Sequence, residues 1–264
     1  MSFELAYSAL TVASGALVGF ILTLVGGGGS ILAVPLMVYV LAVPDAHLAI
    51  GTSAFAVGLS AAAGLPKYAR AGQVKWRCAG LFAAIGVIGA LLGSTLSMAL
   101  DARKLLGAFA VMMMLAGIFM LKKRCVPGNP DAHCGRKQLP KVLGFGGAAG
   151  IFSGFFGIGG GFLIVPSLVA ATGMPTLHAI GSSLVAVAAF GLTTGLNYAR
   201  VDLVDWRLAL LFVAGGIAGG SGGTHIARRL SNRTGALETL LAVLTFLVAA
   251  FMIWQSVRPA AAAP

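Results

Sequence analysis

The chain has 264 residues, of which 58% are hydrophobic and only 9% charged, with a formal net charge of +11. A soluble domain is about 25% charged, so this composition excludes one and defines a polytopic membrane protein. The cations follow the loops rather than gathering into one patch, which sets aside nucleic-acid binding and points to the positive-inside rule.

Uncharged or nearly uncharged segments run over 5–25, 30–43, 47–66, 78–100 and 105–121, and again over 142–156, 162–173, 178–196, 208–227 and 235–257. A bilayer core about 30 Å thick takes about 20 helical residues. The longer segments reach that length; 30–43, 142–156 and 162–173 do not. The N-terminus, MSFELAYSAL, lacks the basic region of a cleaved signal peptide, so the first segment is expected to remain as a helix. The tail RPAAAAP is expected to be disordered.

The same text is written twice. GGGGSILAVP (26–35) matches GIGGGFLIVP (157–166). Pro44 and Pro175 follow nine residues after each, and then His47 and His178. AIGTS (49–53) matches AIGSS (179–183), and KYARAGQVKWR (67–77) matches NYARVDLVDWR (197–207). Matches in one order and one register define a duplication. Residues 1–121 form a first transmembrane repeat, 122–141 a cytoplasmic linker and 142–264 a second repeat.

Loop charges orient the repeats. Lys67, Arg70, Lys75 and Arg77 share a loop with no acid. Lys122, Lys123, Arg124, Arg136, Lys137 and Lys141 share another with Asp131 alone. In the second repeat, Arg200 and Arg207 are balanced by Asp202 and Asp205, and Arg228, Arg229 and Arg233 follow. The same element is therefore expected inside in one repeat and outside in the other. The fold class is an all-α membrane protein of two inverted-topology repeats, each of about five hydrophobic segments and each with a Gly-broken short helix. This parity holds if each broken pair returns to its starting side.

In hydrocarbon every backbone N–H and C=O needs a partner. Consecutive glycines inside an apolar run break a helix, and the restart at Ser30 or Gly161 presents unpaired N–H groups with the positive end of a dipole. Two such starts make an anion site. The candidate substrate-binding residues are Gly26, Gly27, Gly28, Gly29 and Ser30, with Gly157, Gly159, Gly160 and Gly161. Thr52, Ser53, Ser182 and Ser183 join them, as hydroxyl donors to an anion or as helix caps. Gly86, Gly89, Gly93 and Gly215–Gly220 read instead as close helix crossings. His47 and His178 are candidate proton carriers or interfacial helix starts. Arg70 and Arg200 are symmetric cations at opposite mouths, for gating or for orientation.

None of the seven acids, Glu4, Asp45, Asp101, Asp131, Asp202, Asp205 and Glu238, lies mid-segment. A cation transporter keeps a carboxylate in the membrane, so an anion is the expected cargo. Cys125 and Cys134 flank His133, an incomplete zinc set, and the three cysteines are expected as free cytosolic thiols. No metal or cofactor is expected.

The paired Gly-rich segments ending in Pro, AIGTS with AIGSS, and the repeated Tyr-Ala-Arg with Trp-Arg resemble the TauE/SafE family of sulfite and organosulfonate exporters. The resemblance runs from about Gly15 to Ala250. It implies a multi-pass bacterial inner-membrane secondary transporter that exports sulfite, sulfoacetate or related sulfonates by alternating access. The partners are then a small anion and the lipid bilayer, with a homo-oligomer left open. The first repeat has four consecutive glycines where the second has Gly-Ile-Gly-Gly-Gly, so the half-sites differ in shape. A passive anion channel is the alternative. An intramembrane serine hydrolase built on Ser153 and His225 lacks the Gly-x-Ser-Gly context, and the chain is not expected to be an enzyme.

Overall fold

The computed structural model describes residues 2–26, 28–101, 135, 138–157, 159 and 161–230, with individual positions between 105 and 114. Gly27, Gly160, Arg233, Cys125, Cys134, most of the fifth segment of the first repeat, that of the second, and most of the linker lie outside them.

Eight helical elements are described: α1 (Ser2–Val25), α2 (Gly28–Val40), α3 (Ala46–Arg70), α4 (Trp76–Met98), α5 (Leu139–Phe156), α6 (Gly161–Thr172), α7 (Thr176–Ala199) and α8 (Trp206–Leu230). Six of them, all but α2 and α6, are long and apolar enough to cross a membrane. The protein is an all-helical membrane protein among its described residues.

α2 is irregular. It opens as a 3₁₀ turn over Gly28–Leu32, passes through one α turn at Ala33–Pro35 and ends as a π turn over Leu36–Val40. Pro35 has no N–H to donate, which disrupts the regular ladder. The restart thus falls at Gly28, two residues before the expected Ser30. In the second repeat it falls at Gly161, as expected. α5 starts at Leu139, just inside the expected linker, with Pro140 in its first turn, where its missing N–H costs nothing.

α2 runs back along α1. A Cβ on Gly29 would lie 2.5 Å from the Val18 carbonyl oxygen, and the Tyr7 hydroxyl donates to the Leu41 carbonyl at 3.1 Å. The broken pair therefore returns to the end at which α1 began. α3 then sets off in the same direction as α1, and α4 returns.

The helices pair across the repeat boundary. α1 packs on α8, α4 on α5, and α3 on α7. Glycines set the first two contacts. Gly15 meets Phe212 and Gly223 meets Phe20, so α1 and α8 run parallel; Gly89 meets Gly147 and Gly93 meets Phe155, so α4 and α5 do too. A Cβ at these glycines would strike facing backbone, so bare helix surfaces touch, as small residues allow in bilayers. α3 and α7 cross antiparallel. Gly58 meets Gly191 and Leu192, Gly51 meets Tyr198, and Gly195 meets Phe55. Phe82 stacks on Phe190 beside that crossing.

Charge is divided between the two ends. Glu4, Asp45, Asp101, Asp202 and Asp205, with Arg200 and Arg207, lie at the end where α1 and α3 begin. Arg207 pairs there with Glu4 at 2.7 Å, both exposed. Lys67, Arg70, Lys75, Arg77 and Lys141 lie at the other end, where α3 finishes and α4, α5 and α7 begin. We refer to these as the Glu4 end and the Lys75 end. Cys78, in the first turn of α4, is disulfide-bonded, not the free thiol expected.

Candidate functional site

The two glycine breaks are built alike. Each long helix stops at a glycine in the left-handed region, Gly26 at φ 72° and Gly157 at φ 65°. Only glycine enters this region without steric cost. Each of these glycines packs on the long helix of the other repeat. A Cβ on Gly26 would lie 2.7 Å from the Ile180 Cα, and one on Gly157 3.1 Å from the Ile50 carbonyl oxygen. Ile180 and Ile50 are corresponding residues of the AIGSS and AIGTS segments. Gly26 thus sits near the Lys75 end and Gly157 near the Glu4 end, each level with the second turn of its neighbouring helix.

From these turns the chain runs inward. Gly159 is again left-handed, at φ 65°. A Cβ there would meet Val57 Cγ1 and Val187 Cγ1, both at 3.2 Å. Val57 and Val187 are corresponding residues on α3 and α7, next to their crossing. Gly159 therefore lies midway along both helices, between the two repeats. α6 begins two residues later at Gly161, and its flank packs against the Gly28–Leu32 turn of α2. Gly28, Gly29 and Ser30 are buried. The two helix restarts thus pack against each other, while Gly26 and Gly157 mark where each chain leaves its long helix.

The four candidate hydroxyls are fully buried and have protein partners. Thr52 Oγ1 accepts the Asp205 N–H at 3.0 Å, and Ser182 Oγ accepts the Lys75 N–H at 2.9 Å. Ser53 Oγ donates to the Ile50 carbonyl at 3.0 Å. Ser183 Oγ donates to the Ile180 carbonyl at 2.8 Å and lies 3.0 Å from the Gly26 carbonyl, which the break had freed. These hydroxyls lie in the second turns of α3 and α7, and their described partners come from their own helix and from the opposite repeat.

His47 and His178 begin α3 and α7 at opposite ends. Asp45 caps α3 by accepting the His47 N–H at 2.8 Å, whereas α7 starts at Pro175 with no side-chain cap. His47 Nε2 lies 3.1 Å from the Leu100 carbonyl, and its ring stacks on Tyr198 with centroids 6.4 Å apart. Nδ1 of each histidine is buried without a hydrogen-bond partner. Arg70 and Arg200 follow the last turns of α3 and α7 at opposite ends. The residues that sequence reasoning missed are Tyr68 and Tyr198. Both are fully buried; Tyr68 donates to the Thr23 carbonyl and Tyr198 to Ser97 Oγ at 3.0 Å. Their identical place in both repeats was the available signal. Among the described residues no group of His, Cys, Asp and Glu is arranged to hold a metal ion.

Long apolar helices, two helix restarts meeting between duplicated halves, and no described carboxylate beside them define a multi-pass membrane transporter. The family model for the sulfite exporter TauE/SafE matches residues 11–252, and the chain belongs to that family. It is 49% identical over 253 residues to a probable membrane transporter protein of Xylella fastidiosa (strain 9a5c), covering 94% of this chain and 95% of the relative. It is 22% identical over 271 residues to the probable membrane transporter protein YunE of Bacillus subtilis (strain 168), covering 94% and 98%. A probable membrane transporter protein of Methanocaldococcus jannaschii, MJ0441, is 27% identical over 180 residues, 66% of each chain. No solved structure matches.

Proposed function

We propose that the protein is a secondary transporter that exports small sulfur-containing oxyanions, such as sulfite, sulfoacetate or related organosulfonates, across the bacterial inner membrane. The observation that carries this reading is the packing of the Gly28–Leu32 turn against α6, whose approach at Gly159 lies between Val57 and Val187. Helix N-termini there present backbone N–H groups and a positive dipole end in a region of low dielectric. Gly28–Ser30, Gly159 and Gly161 line the anion site, and Gly26 and Gly157 set the turns that aim them. A pyramidal sulfite or tetrahedral sulfonate presents three oxygens to donors arriving from two directions.

Corresponding helices α3 and α7 run antiparallel, which supports an inverted-topology repeat with its axis in the membrane plane. The positive-inside rule puts the Lys75 end in the cytoplasm. Alternating access then moves the anion from the basic end to the end that carries Glu4, Asp45, Asp101, Asp202 and Asp205. The test is uptake of sulfite, thiosulfate, sulfoacetate, sulfolactate and taurine by liposomes holding the purified protein. Saturable flux of one or more sulfur oxyanions, competed by the others, is expected. Flux that does not saturate indicates a channel, and no flux of any of the five overturns the reading.

A further inference from the structure

Two contacts at opposite ends tie the repeats together in the same way. At the Glu4 end, the Asp205 N–H is held by Thr52 Oγ1, while Gly51 lies against the Leu203 carbonyl and the Tyr198 side chain. At the Lys75 end, the Lys75 N–H is held by Ser182 Oγ, while Gly181 lies against the Gln73 carbonyl and the Tyr68 side chain. Each contact is a clasp. The turn after a long helix of one repeat is seated on the first turns of the long helix of the other.

The clasps are shorter than the other contacts between repeats, each confined to one turn and the first turns of one helix. α1 with α8 and α4 with α5 meet glycine to backbone over several turns. At the centre of each clasp a backbone N–H of one repeat is held by a hydroxyl of the other, and such a neutral bond is worth little net. Each also buries polar atoms that find no partner: His47 Nδ1 at the Glu4 end, and His178 Nδ1 and Gln73 Oε1 at the Lys75 end. Closing the clasp strips water from these atoms and returns nothing, whereas opening it hydrates them again. The other described buried polar atoms without a partner are the hydroxyls of Ser60, Ser153 and Thr194, on α3, α5 and α7 away from the two turns.

We infer that the two clasps are the gates of the transport cycle. The turn over residues 71–75 closes the Lys75 end, the turn over 201–205 closes the Glu4 end, and the two open in alternation. This rests on the transport reading above. The antiparallel crossing of α3 and α7 supplies the coupling. Gly58 and Gly191 touch backbone to backbone there, so the crossing acts as a fulcrum. Rocking one helix on the other lifts one end and presses the opposite end shut. Both clasps are closed together in this structure, which is the occluded state of such a cycle.

Hydrogen exchange of the full-length protein in lipid nanodiscs tests this, because the clasping donors are themselves backbone amides. Ser182→Ala is expected to speed exchange over residues 71–77 by roughly tenfold, the loss of one hydrogen bond, and to slow exchange over 201–207. Thr52→Val is expected to do the reverse. Any other pattern, whether both ends faster, neither changed, or only the near end changed, overturns the gates. Exchange at the α3–α7 crossing reports whether each variant is folded. Should Ser182→Ala fail there, Lys75→Pro removes the donor from the other side, at a backbone φ of −88° close to proline's own, and the same pattern is required of it. Exchange is read without substrate, whereas flux tests the transport reading. Intact sulfite flux without the alternation condemns the gates alone; alternation without flux of any sulfur anion condemns the substrate alone.

Discussion

The Ser183 hydroxyl lies 3.0 Å from the carbonyl of Gly26, which belongs to the other repeat, and donates toward it. Gly26 ends α1 early, so its carbonyl is one of those that a helix end leaves open. Nothing in hydrocarbon would pair it. A serine one turn into α7 does so, and the break becomes tolerable at the place where the anion path needs it.

Ser183→Ala is therefore expected to destabilise the protein by about 1–3 kcal/mol, the cost of a buried polar group left unpaired. Ser53→Ala, at the corresponding position, is expected to cost less, because the Ser53 bond goes to the Ile50 carbonyl in its own helix. Thermal unfolding in detergent, with both variants measured side by side, checks the difference. Equal losses would show that the bond to Gly26 carries no special weight.

The duplication makes a second pair of predictions. Two turn positions are left-handed in both repeats, with glycine in one and a side chain in the other. Gly72 (φ 68°) corresponds to Asp202 (φ 56°), and Gly173 (φ 72°) to Ala42 (φ 51°). An L-residue in this region carries a strain of about 1–2 kcal/mol, smaller for Asp than for Ala. Ala42→Gly is expected to raise stability by about 1 kcal/mol, after the larger chain entropy of glycine in the unfolded state is deducted. Asp202→Gly should gain less. Gly72→Ala should lose stability even though a Cβ there meets nothing within 4 Å, because the strain lies in the backbone. Midpoints of thermal unfolding decide all three.

Loop labelling tests the topology. Cysteines replacing Lys67 and Arg200, in a background without the native cysteines, are expected to react with an impermeant thiol reagent from opposite faces of the membrane. Reaction from one face would reject the inverted arrangement, since these residues end corresponding helices.

How much of this was legible follows from what kind of contact each residue makes. The broken helices were readable because four consecutive glycines make a poor helix in an apolar run, and the repeat was readable because it is literal. The folding back of α2 was constrained by loop charge. The partners of Thr52 and Ser182 were not readable: a hydroxyl near a helix start serves equally as a cap, a back-bond or a ligand donor, and neither Asp205 nor Lys75 is marked by periodicity. Individual glycines were also ambiguous. Gly29 is glycine for the closeness of α1, whereas Gly26, Gly157 and Gly159 are glycines both for φ and for the other repeat packed against them, with Gly159 alone set midway along α3 and α7. The letter is the same in all four cases.

That distinction gives the sharpest test of the anion site. Gly159 is left-handed and wedged between Val57 and Val187, so an added methyl both strains the turn and fills the space before the α6 restart. Gly159→Ala is expected to weaken sulfite binding by about 1–3 kcal/mol, the worth of one or two charge-assisted hydrogen bonds, and to stop flux. Strain alone would lower stability without touching affinity, so two further variants separate the causes. Val57→Ala in the Gly159→Ala background returns room without relieving strain, and should recover part of the affinity. Gly144→Ala, where a Cβ meets nothing within 4 Å and the helix is regular, should leave binding and flux at wild-type levels. Calorimetric titration of sulfite onto each purified variant reads the affinity directly. If Gly159→Ala binds sulfite as tightly as the wild type while melting earlier, the break at the centre of the molecule serves the fold alone, and the anion must be sought elsewhere along α3 and α7.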